Sequence, residues 1–282
     1  MKQQGFALLR LMRLHQPIGI FLLLWPVMWA LWLASAGHPS WRLVIIFSLG
    51  TVVMRSAGCV INDIADRHFD GLVIRTQHRP LVTGEVSLAT ALAVFSVLML
   101  IALILVLQLN LLTLQLALLG ALLTLAYPFA KRYTYFPQVL LGMAFNWGII
   151  LAFTAQSNHL PALAWVLYLI ALLWTIAYDT MYAMVDRVDD LRIGIKSTAI
   201  AFGRYDRLII GLLQALVLIG LAGIGYYLAL SLSYFMGLAI ALSLAIYQQF
   251  LLKDCLPERC FQAFLNNHWF GMAVFVGLLC NS

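Results

Sequence analysis

The acidic residues of this chain are few, and most of them stand close together. The chain has 11 Asp and Glu residues among 282. Seven of them form two clusters, with Asp63, Asp66 and Asp70 in the first and Asp179, Asp186, Asp189 and Asp190 in the second. Crowding of like charge is unfavourable unless a cation balances it, so both clusters are candidates for a metal site.

Each cluster predicts a stripe of oxygen ligands along one face of a helix. A step of four residues turns only about 40° around a helix axis, so Asn62, Asp66 and Asp70 share a face if the preceding apolar helix continues past them. Asp186 and Asp190 share a face for the same reason. Magnesium takes one or two carboxylates and completes its shell with water and phosphate oxygens. The two stripes therefore predict a site for a magnesium-bridged diphosphate, although each acid could instead be solvated and paired with a neighbouring arginine.

Basic residues follow both acidic clusters and one further apolar span. Arg75 and Arg79 lie beyond the first cluster, Lys196 lies beyond the second, and Lys131 and Arg132 stand at the end of the fourth span. Cations that converge on a metal site suit the binding and stabilisation of a polyanionic leaving group. The alternative is that they are ordinary cytoplasmic loop residues of a membrane protein.

Arg55 stands inside an apolar segment, two helical turns before Asn62 and on nearly the same helix face. An arginine within the membrane is costly and normally faces a cavity and a partner. Asp179 could be that partner in a structural ion pair. We favour the interpretation that Arg55 binds a carboxylate on a substrate.

The composition excludes a water-soluble globule. The chain is 63% hydrophobic and only 10% charged, against roughly 45–50% and 25% in soluble domains. At roughly 20 residues per crossing, the apolar content predicts an all-α, polytopic membrane protein of about nine helices. The expected spans are 17–36, 43–62, 86–107, 111–129, 138–156, 162–183, 208–228, 234–252 and 263–280. No internal boundary interrupts them, so we expect one domain over residues 1–282.

The basic residues predict the orientation of these spans. Of 17 Lys and Arg residues, only Arg42 falls in a loop on the far side and only Arg55 falls within a span. By the positive-inside rule, the N-terminus and the loops with the acidic clusters are cytoplasmic, and the C-terminus is outside. The net charge of +6 then reflects topology, and we expect a lipid bilayer and no nucleic acid as partner.

The motifs resemble those of the UbiA superfamily of intramembrane prenyltransferases. The superfamily's NDxxDxxxD, DxxxD and YxxxK motifs stand here at Asn62–Asp70, Asp186–Asp190 and Tyr127–Lys131. The likeness extends over nearly the whole chain, from Pro17 to His268. It implies a central cavity that opens to the cytoplasm under a cap of loops, with a lateral portal for an isoprenoid tail.

The resemblance also implies an activity and a location. The expected reaction is Mg²⁺-dependent transfer of a polyprenyl group from polyprenyl diphosphate to 4-hydroxybenzoate, ortho to its hydroxyl, in ubiquinone biosynthesis. The expected location is the bacterial cytoplasmic (inner) membrane.

The resemblance and the residue chemistry together assign roles within that reaction. Magnesium would be held by Asn62, Asp66, Asp70, Asp186 and Asp190, and diphosphate by Arg75, Arg79, Lys131, Arg132 and Lys196. The four aspartates of that set and Lys131 are the expected catalytic residues. Arg55 would orient the benzoate, and Tyr178 or Tyr182 would shield an allylic cation.

Two alternatives remain open at the level of sequence. Other members of the superfamily prenylate naphthoates, homogentisate, or haem and chlorophyll precursors, so the acceptor could differ. A transporter of anions would also place an arginine and acids along a path through the membrane. Both acidic clusters stand at helix ends on one side only, which favours the enzyme.

Overall fold

The computed structural model describes residues 2–281, apart from the side chains of residues 2–4 and of Lys131. Within this range the chain is helical and contains no strand. The α-helices are α1 (Lys2–Leu11), α2 (Ile18–Ala34), α3 (Trp41–Asp66), α4 (Leu88–Val106), α5 (Leu111–Ala126), α6 (Ala130–Tyr133), α7 (Pro137–Phe145), α8 (Trp147–Ser157), α9 (Ala162–Ile193), α10 (Thr198–Phe202), α11 (Asp206–Tyr227), α12 (Leu232–Leu251) and α13 (Pro257–Leu279). Short 3₁₀ turns lie at Asp70–Leu72, Tyr127–Phe129, Gly203–Tyr205 and Leu252–Asp254.

The prediction of a polytopic all-α membrane protein is confirmed. Among the described residues, seven helical segments are long and apolar enough to cross a membrane: Trp41–Asp66, Leu88–Val106, Leu111–Phe129, Pro137–Ser157, Ala162–Ile193, Thr198–Tyr227 and Leu232–Asp254. The apolar helix α2 is shorter, at 17 residues, and α13 is a 23-residue helix with a more polar first half. Each predicted span coincides with helix, so nine is an approximate count of the crossings.

Helix α9 lies at the centre of the bundle and packs against α2, α7, α8, α10, α11 and α13. Three aromatic residues fill the core beside it. The Trp174 ring lies 5.3 Å from Trp29 and 5.5 Å from Phe270, centroid to centroid. The Trp174 Nε1–H donates to Asn267 Oδ1 at 2.9 Å. Because this buried polar group is satisfied, the core can hold a large aromatic residue without an unpaired donor.

The segment predicted as one span at 138–156 is two helices, α7 and α8. The break lies at Asn146, whose Nδ2 donates to Gly142 O at 2.9 Å and to Thr175 Oγ1 at 2.8 Å. The Asn146 amide thus hydrogen-bonds one acceptor in α7 and one in α9. A break of this kind is stabilised by tertiary partners, which hydropathy does not register.

The N-terminal helix α1, which hydropathy did not predict, lies against α3. Arg10 joins it to the segment after the first acidic cluster, since Arg10 Nη1 donates to Glu85 Oε2 at 3.0 Å and Nη2 to His78 O at 2.5 Å. Helix α1 and the segment after α3 therefore meet at the end of the bundle where the acidic clusters lie.

Candidate functional site

A cavity of about 770 Å³ lies at the end of the bundle where α3 and α9 meet the N-terminal segment. Its walls come from α2, α3, α7, α9, α13 and the segment after α3. Most of the predicted site residues line it: Arg55, Asn62, Asp66, Asp70, Arg75, Arg79, Tyr178, Tyr182, Asp186, Asp190 and Lys196. The structure thus brings residues from both acidic clusters to one space.

The first acidic stripe is formed differently from the prediction. Helix α3 ends at Asp66 and does not continue to Asp70. Arg67 Nη1 donates to Ile64 O at 3.0 Å, and the chain then turns, with Phe69 N donating to Asp66 O at 2.8 Å. Asp70 enters the cavity wall from the following 3₁₀ turn. The turn places Asp70 beside Arg79 rather than stacking a third carboxylate on the helix face.

The second acidic stripe is helical, as predicted. Helix α9 continues to Ile193, ten residues beyond the expected end of its span. Asp179, Tyr182, Asp186 and Asp190 all line the cavity from this helix. Asp189, which lies off this face, accepts a hydrogen bond from Ile74 N at 3.3 Å and so holds the segment after α3 against α9.

Asp186 is paired with Arg75 across the cavity. Arg75 Nε lies 2.9 Å from Asp186 Oδ1 and Nη2 lies 2.5 Å from Oδ2, a bidentate geometry. The same guanidinium lies over the Tyr182 ring, 4.6 Å from its centroid. Arg75 thus joins the segment after α3 to helix α9.

A second charge network joins Asp63, Asp70 and two arginines. Arg79 Nη1 lies 2.6 Å from Asp70 Oδ2 and 3.0 Å from Asp63 Oδ1, and Arg13 Nη2 donates to Asp63 Oδ1 at 2.8 Å. Burial raises the pKa of Asp70 above its ordinary value, and Arg79 opposes that rise. Burial would lower the pKa of Arg13, but Asp63 and, to a smaller extent, Cys59, Tyr182 and Tyr127 together more than offset it, so the pKa of Arg13 is raised. Buried acids of this kind are stabilised by further positive charge.

The donors around the cavity fit magnesium. Asn62, Asp66, Asp70, Asp186 and Asp190 offer amide and carboxylate oxygens, which are hard ligands suited to this ion. In the described part of the chain, no three acidic, histidine or cysteine side chains already form a closed metal cluster. Magnesium needs only one or two carboxylates when a phosphate supplies other oxygens. The set is therefore suited to a metal that is shared with a diphosphate.

Arg55 lines the same cavity, about two helical turns deeper along α3 than Asn62. Its Nη1 donates to Cys59 Sγ at 2.7 Å, and its guanidinium lies 5.7 Å from the centroid of the Phe145 ring. The ion pairs of the described residues do not include one between Arg55 and Asp179. Gln138 Oε1 accepts from Thr198 N at 3.1 Å, and Arg55 and Gln138 both lie near enough to Asp179 to act on its carboxylate electrostatically. The geometry therefore leaves a charged donor facing the cavity.

The remaining predicted cations have different outcomes. Lys196 lines the cavity, and its Nζ donates to Tyr133 O at 3.3 Å. Arg132 does not line it: its Nη2 donates to Ala65 O at 2.7 Å, and its guanidinium lies between the Phe69 and Phe129 rings. These contacts hold Arg132 on the exposed side of α3, so the geometry does not support its predicted place in the diphosphate site. The side chain of Lys131 lies outside the described residues.

The two tyrosines predicted to shield a cation lie in different surroundings. Tyr178 is buried and packs edge-on against Trp174, with ring centroids 5.2 Å apart. Tyr182 is covered on one face by Arg75. Tyr178 is therefore the one whose ring is not already stacked with a cation.

A second, apolar cavity of about 230 Å³ adjoins the first. It lies between α2, α3, α4, α5 and the α7–α8 segment, and it shares Tyr127 and Phe145 with the larger cavity. The Tyr127 hydroxyl donates to Gly58 O at 3.1 Å, so the ring is fixed at this boundary. A polar space thus meets an apolar one at two aromatic residues.

Comparison with known proteins identifies the family. The sequence model described as "UbiA prenyltransferase family" matches residues 23–272. The chain belongs to the UbiA prenyltransferase family.

Curated members of the UbiA family with similar sequences bear one name. A protein of Coxiella burnetii named 4-hydroxybenzoate octaprenyltransferase is 55% identical over 279 residues, which cover 99% of this chain and 97% of that protein. A protein of the same name from Methylococcus capsulatus is 54% identical over 280 residues, which cover 99% and 96%.

Solved structures share the UbiA fold with this chain at lower identity. A UbiA homologue from Aeropyrum pernix matches with a TM-score of 0.80 at 24% identity, over 92% of this chain and 97% of that one. A UbiA homologue from Archaeoglobus fulgidus, solved with GPP and Mg²⁺ bound, matches with a TM-score of 0.71 at 19% identity, over 95% and 99%.

Several residues of this UbiA-family site were not predicted. Arg13 enters the cavity from the N-terminal segment with its backbone in the left-handed region, at φ 55°. Cys59 accepts a hydrogen bond from Arg55, and Gln138 lies in the cavity wall near Asp179. In the sequence, Arg13 is one of several basic residues before the first span. Only the fold, which brings Asp63 next to it, distinguishes Arg13 from the others. The uncommon backbone conformation of Arg13 is the sort of feature that clusters at functional sites.

Proposed function

We propose that this chain transfers a polyprenyl group from polyprenyl diphosphate to the ring carbon ortho to the hydroxyl of 4-hydroxybenzoate and releases diphosphate. One observation carries the proposal. The cavity has acids and arginines of both clusters at its mouth and a single arginine, Arg55, deeper inside, next to an apolar compartment. The names of relatives at 54–55% identity support the choice of acceptor.

The diphosphate end of the substrate lies at the mouth of the cavity. Asn62, Asp66, Asp70, Asp186 and Asp190 would hold magnesium, which supplies Lewis-acid neutralisation of the diphosphate charge. Arg75 and Arg79 each lie within 3 Å of a carboxylate of this set. A bound phosphate oxygen at the same place would accept hydrogen bonds from the same guanidinium groups. These cations stabilise the charge that develops as diphosphate departs.

The allylic end of the substrate lies among aromatic and apolar walls. An allylic cation reacts with water, so the site must exclude water while the aromatic ring approaches. Tyr178, Phe145 and Phe264 line the cavity on this side. The face of a buried tyrosine ring attracts a cation through its quadrupole, so Tyr178 is assigned to stabilise the allylic cation.

Arg55 orients the acceptor. A guanidinium binds a carboxylate in a fixed, bidentate geometry. A benzoate held there points its ring and phenol hydroxyl toward the mouth, where the allylic carbon leaves diphosphate. Attack by the carbon ortho to the hydroxyl forms the new C–C bond, and loss of the proton from that carbon restores the aromatic ring. Positioning of this kind supplies much of the rate of a two-substrate reaction.

The second cavity accommodates the first part of the isoprenoid tail. Its walls are almost wholly apolar, and several of the residues on α4 and α5 are exposed to the bilayer side. A tail that passes Tyr127 and Phe145 could therefore extend toward lipid without crossing polar groups. This arrangement is the proposed lateral entrance.

We assign the protein to the bacterial cytoplasmic membrane, with the mouth of the cavity on the cytoplasmic side. The support is the distribution of Lys and Arg, nearly all of which stand at one end of the bundle. Both substrates would then reach the site from the cytoplasm or the bilayer.

The product of purified protein tests the proposal. The protein in detergent is mixed with Mg²⁺, 4-hydroxybenzoate and prenyl diphosphates of several lengths, and the products are analysed by mass spectrometry and NMR. We expect 4-hydroxybenzoate carrying one prenyl group ortho to the hydroxyl, together with released diphosphate. Prenylation of a naphthoate or homogentisate in preference would contradict the acceptor. Vesicle uptake of labelled 4-hydroxybenzoate without any product would favour a transporter.

A further inference from the structure

Gly19 of α2 lies directly against the guanidinium of Arg55. It is buried and is the second residue of the helix. A Cβ atom added at Gly19 would overlap Arg55 Nε and would lie 2.5 Å from Nη2 and 2.6 Å from Cζ. Real Cβ contacts are essentially never shorter than 3.0 Å. Any residue other than glycine at this position would therefore have to displace the guanidinium.

Two further side chains contact the guanidinium and leave it open to the cavity. Cys59 of α3, which is 1% exposed, accepts from Nη1 at 2.7 Å. Phe145 of α7 faces the guanidinium with its ring centroid at 5.7 Å. The charge is thus fixed by contacts from three helices. The nearest atoms to the missing Cβ all belong to Arg55, so the space at Gly19 is occupied by this one side chain.

In the first turn of α2, where Gly19 stands, the contact with the Arg55 guanidinium leaves no room for a Cβ atom. We propose that Gly19 is a positioning residue. Its missing side chain fixes where the charge of Arg55 stands in the cavity, and this makes the site selective for an acceptor with a carboxylate.

This inference rests on the proposed function, in which Arg55 binds the acceptor carboxylate. A bidentate pair depends on the orientation of the guanidinium fork as well as on its charge. Alanine at position 19 retains the charge but moves the fork, and a misplacement of about 1 Å can cost about 100-fold in rate. The carboxylate end of the acceptor should be affected, and the diphosphate end, about two turns away, should not.

Four variants test it: Gly19→Ala, Arg55→Ala, the double variant, and Gly223→Ala as a matched control. Gly223 is an exposed glycine in α11 with open space around its Cα. Equilibrium dialysis measures binding of labelled 4-hydroxybenzoate, of uncharged 4-hydroxybenzamide and of a prenyl diphosphate. We expect Gly19→Ala to weaken 4-hydroxybenzoate binding by about tenfold or more. Binding of the amide and of the diphosphate should change little, and Gly223→Ala should behave as wild type.

The double variant decides between positioning and packing. If Gly19 acts through Arg55, adding Gly19→Ala to Arg55→Ala has no further effect on acceptor binding. An equal loss in both backgrounds would overturn the inference. If Gly19→Ala alone does not fold, the double variant must fold because the overlapping guanidinium is gone, and failure of both to fold would also overturn it. If Arg55→Ala itself leaves 4-hydroxybenzoate binding unchanged, the proposed acceptor site is wrong, and the role of Gly19 fails with it.

Discussion

Arg75 and Asp186 form a bidentate ion pair across the cavity, with Nη2 2.5 Å from Oδ2 and Nε 2.9 Å from Oδ1. The pair links the segment after α3 to helix α9, so the two arms of the site are joined through a charge contact. The carboxylate that is proposed to bind magnesium is thus paired with the guanidinium that is proposed to bind diphosphate. When a magnesium-bound diphosphate binds, Asp186 would exchange Arg75 for magnesium, and Arg75 would exchange Asp186 for a phosphate oxygen. Neither charge would then be left without a partner.

Arg75→Gln should make thermal stability depend on magnesium. The variant leaves the mostly buried Asp186 without its guanidinium, and we expect a loss of about 1–3 kcal/mol in the free energy of unfolding. Magnesium can replace the missing charge, so it should raise the melting temperature of Arg75→Gln more than that of wild type. The melting temperature is measured with and without Mg²⁺ in the absence of substrate. An equal response of the two proteins would contradict the shared role of Asp186.

Asp→Asn at Asp66, Asp70, Asp186 or Asp190 should lower turnover by about 100-fold or more while the protein stays folded. The reason is that each change removes a charged ligand from the metal and diphosphate site. Asp254→Asn is the control, because Asp254 pairs with Arg259 in an exposed ion pair outside the cavity. EDTA should abolish turnover reversibly. Full activity of the EDTA-treated enzyme would refute the metal site.

Arg13→Ala should destabilise the fold more than Arg10→Ala. Arg13 pairs with Asp63, which is 2% exposed, whereas Arg10 pairs with Glu85, which is 42% exposed. An exposed pair contributes about 0–1 kcal/mol, and loss of a buried charged hydrogen bond costs about 1–3 kcal/mol. Melting temperatures of the two variants compare them. If Arg10→Ala lowers the melting temperature as much as Arg13→Ala does, the Arg13–Asp63 contact does not contribute more to stability than the exposed Arg10–Glu85 pair, and the prediction is wrong.

Cysteine labelling should reveal one orientation in the membrane. In a cysteine-free background, Leu72→Cys and Tyr226→Cys place single thiols at residues that are 64% and 86% exposed, near opposite ends of the bundle. A membrane-impermeant thiol reagent should label Tyr226→Cys in intact cells and Leu72→Cys only in inside-out vesicles. Labelling of Leu72→Cys in intact cells would show that the mouth of the cavity faces outward and would contradict the proposed orientation.

Features that follow from composition or from helical periodicity over a few residues were predictable from the sequence. The apolar spans follow from composition, and the face of α9 that carries Asp179, Asp186 and Asp190 follows from helix periodicity. Both depend only on neighbours along the chain. The fold class could therefore be anticipated. The meeting of the two acidic clusters at one cavity was predicted on a different ground, the oxygen ligands that a magnesium-bridged diphosphate needs.

Features that depend on partners distant in sequence were missed. Asp70 lies beyond the end of α3 and pairs with Arg79, and Arg13 reaches the buried Asp63 because α1 folds back over α3. Gly19 matters only because the Arg55 guanidinium lies against it. Arg132 matched the charge pattern of a diphosphate ligand, yet it is held outside the cavity by Ala65 and two aromatic rings. In each case a tertiary contact decides the role of the residue.

The binding of each substrate to Arg55→Ala tests most directly the claim that the cavity holds an aromatic carboxylate apart from a diphosphate. Loss of a charge-assisted pair in a poorly hydrated cavity costs roughly 2–5 kcal/mol, so acceptor affinity should fall about 30-fold or more. Prenyl diphosphate affinity and the melting temperature should be nearly unchanged, because other residues hold that anion. Unchanged 4-hydroxybenzoate affinity in a well-folded Arg55→Ala protein would contradict the account. So would a loss of stability that Asp179→Asn restores, since Arg55 would then serve to neutralise Asp179.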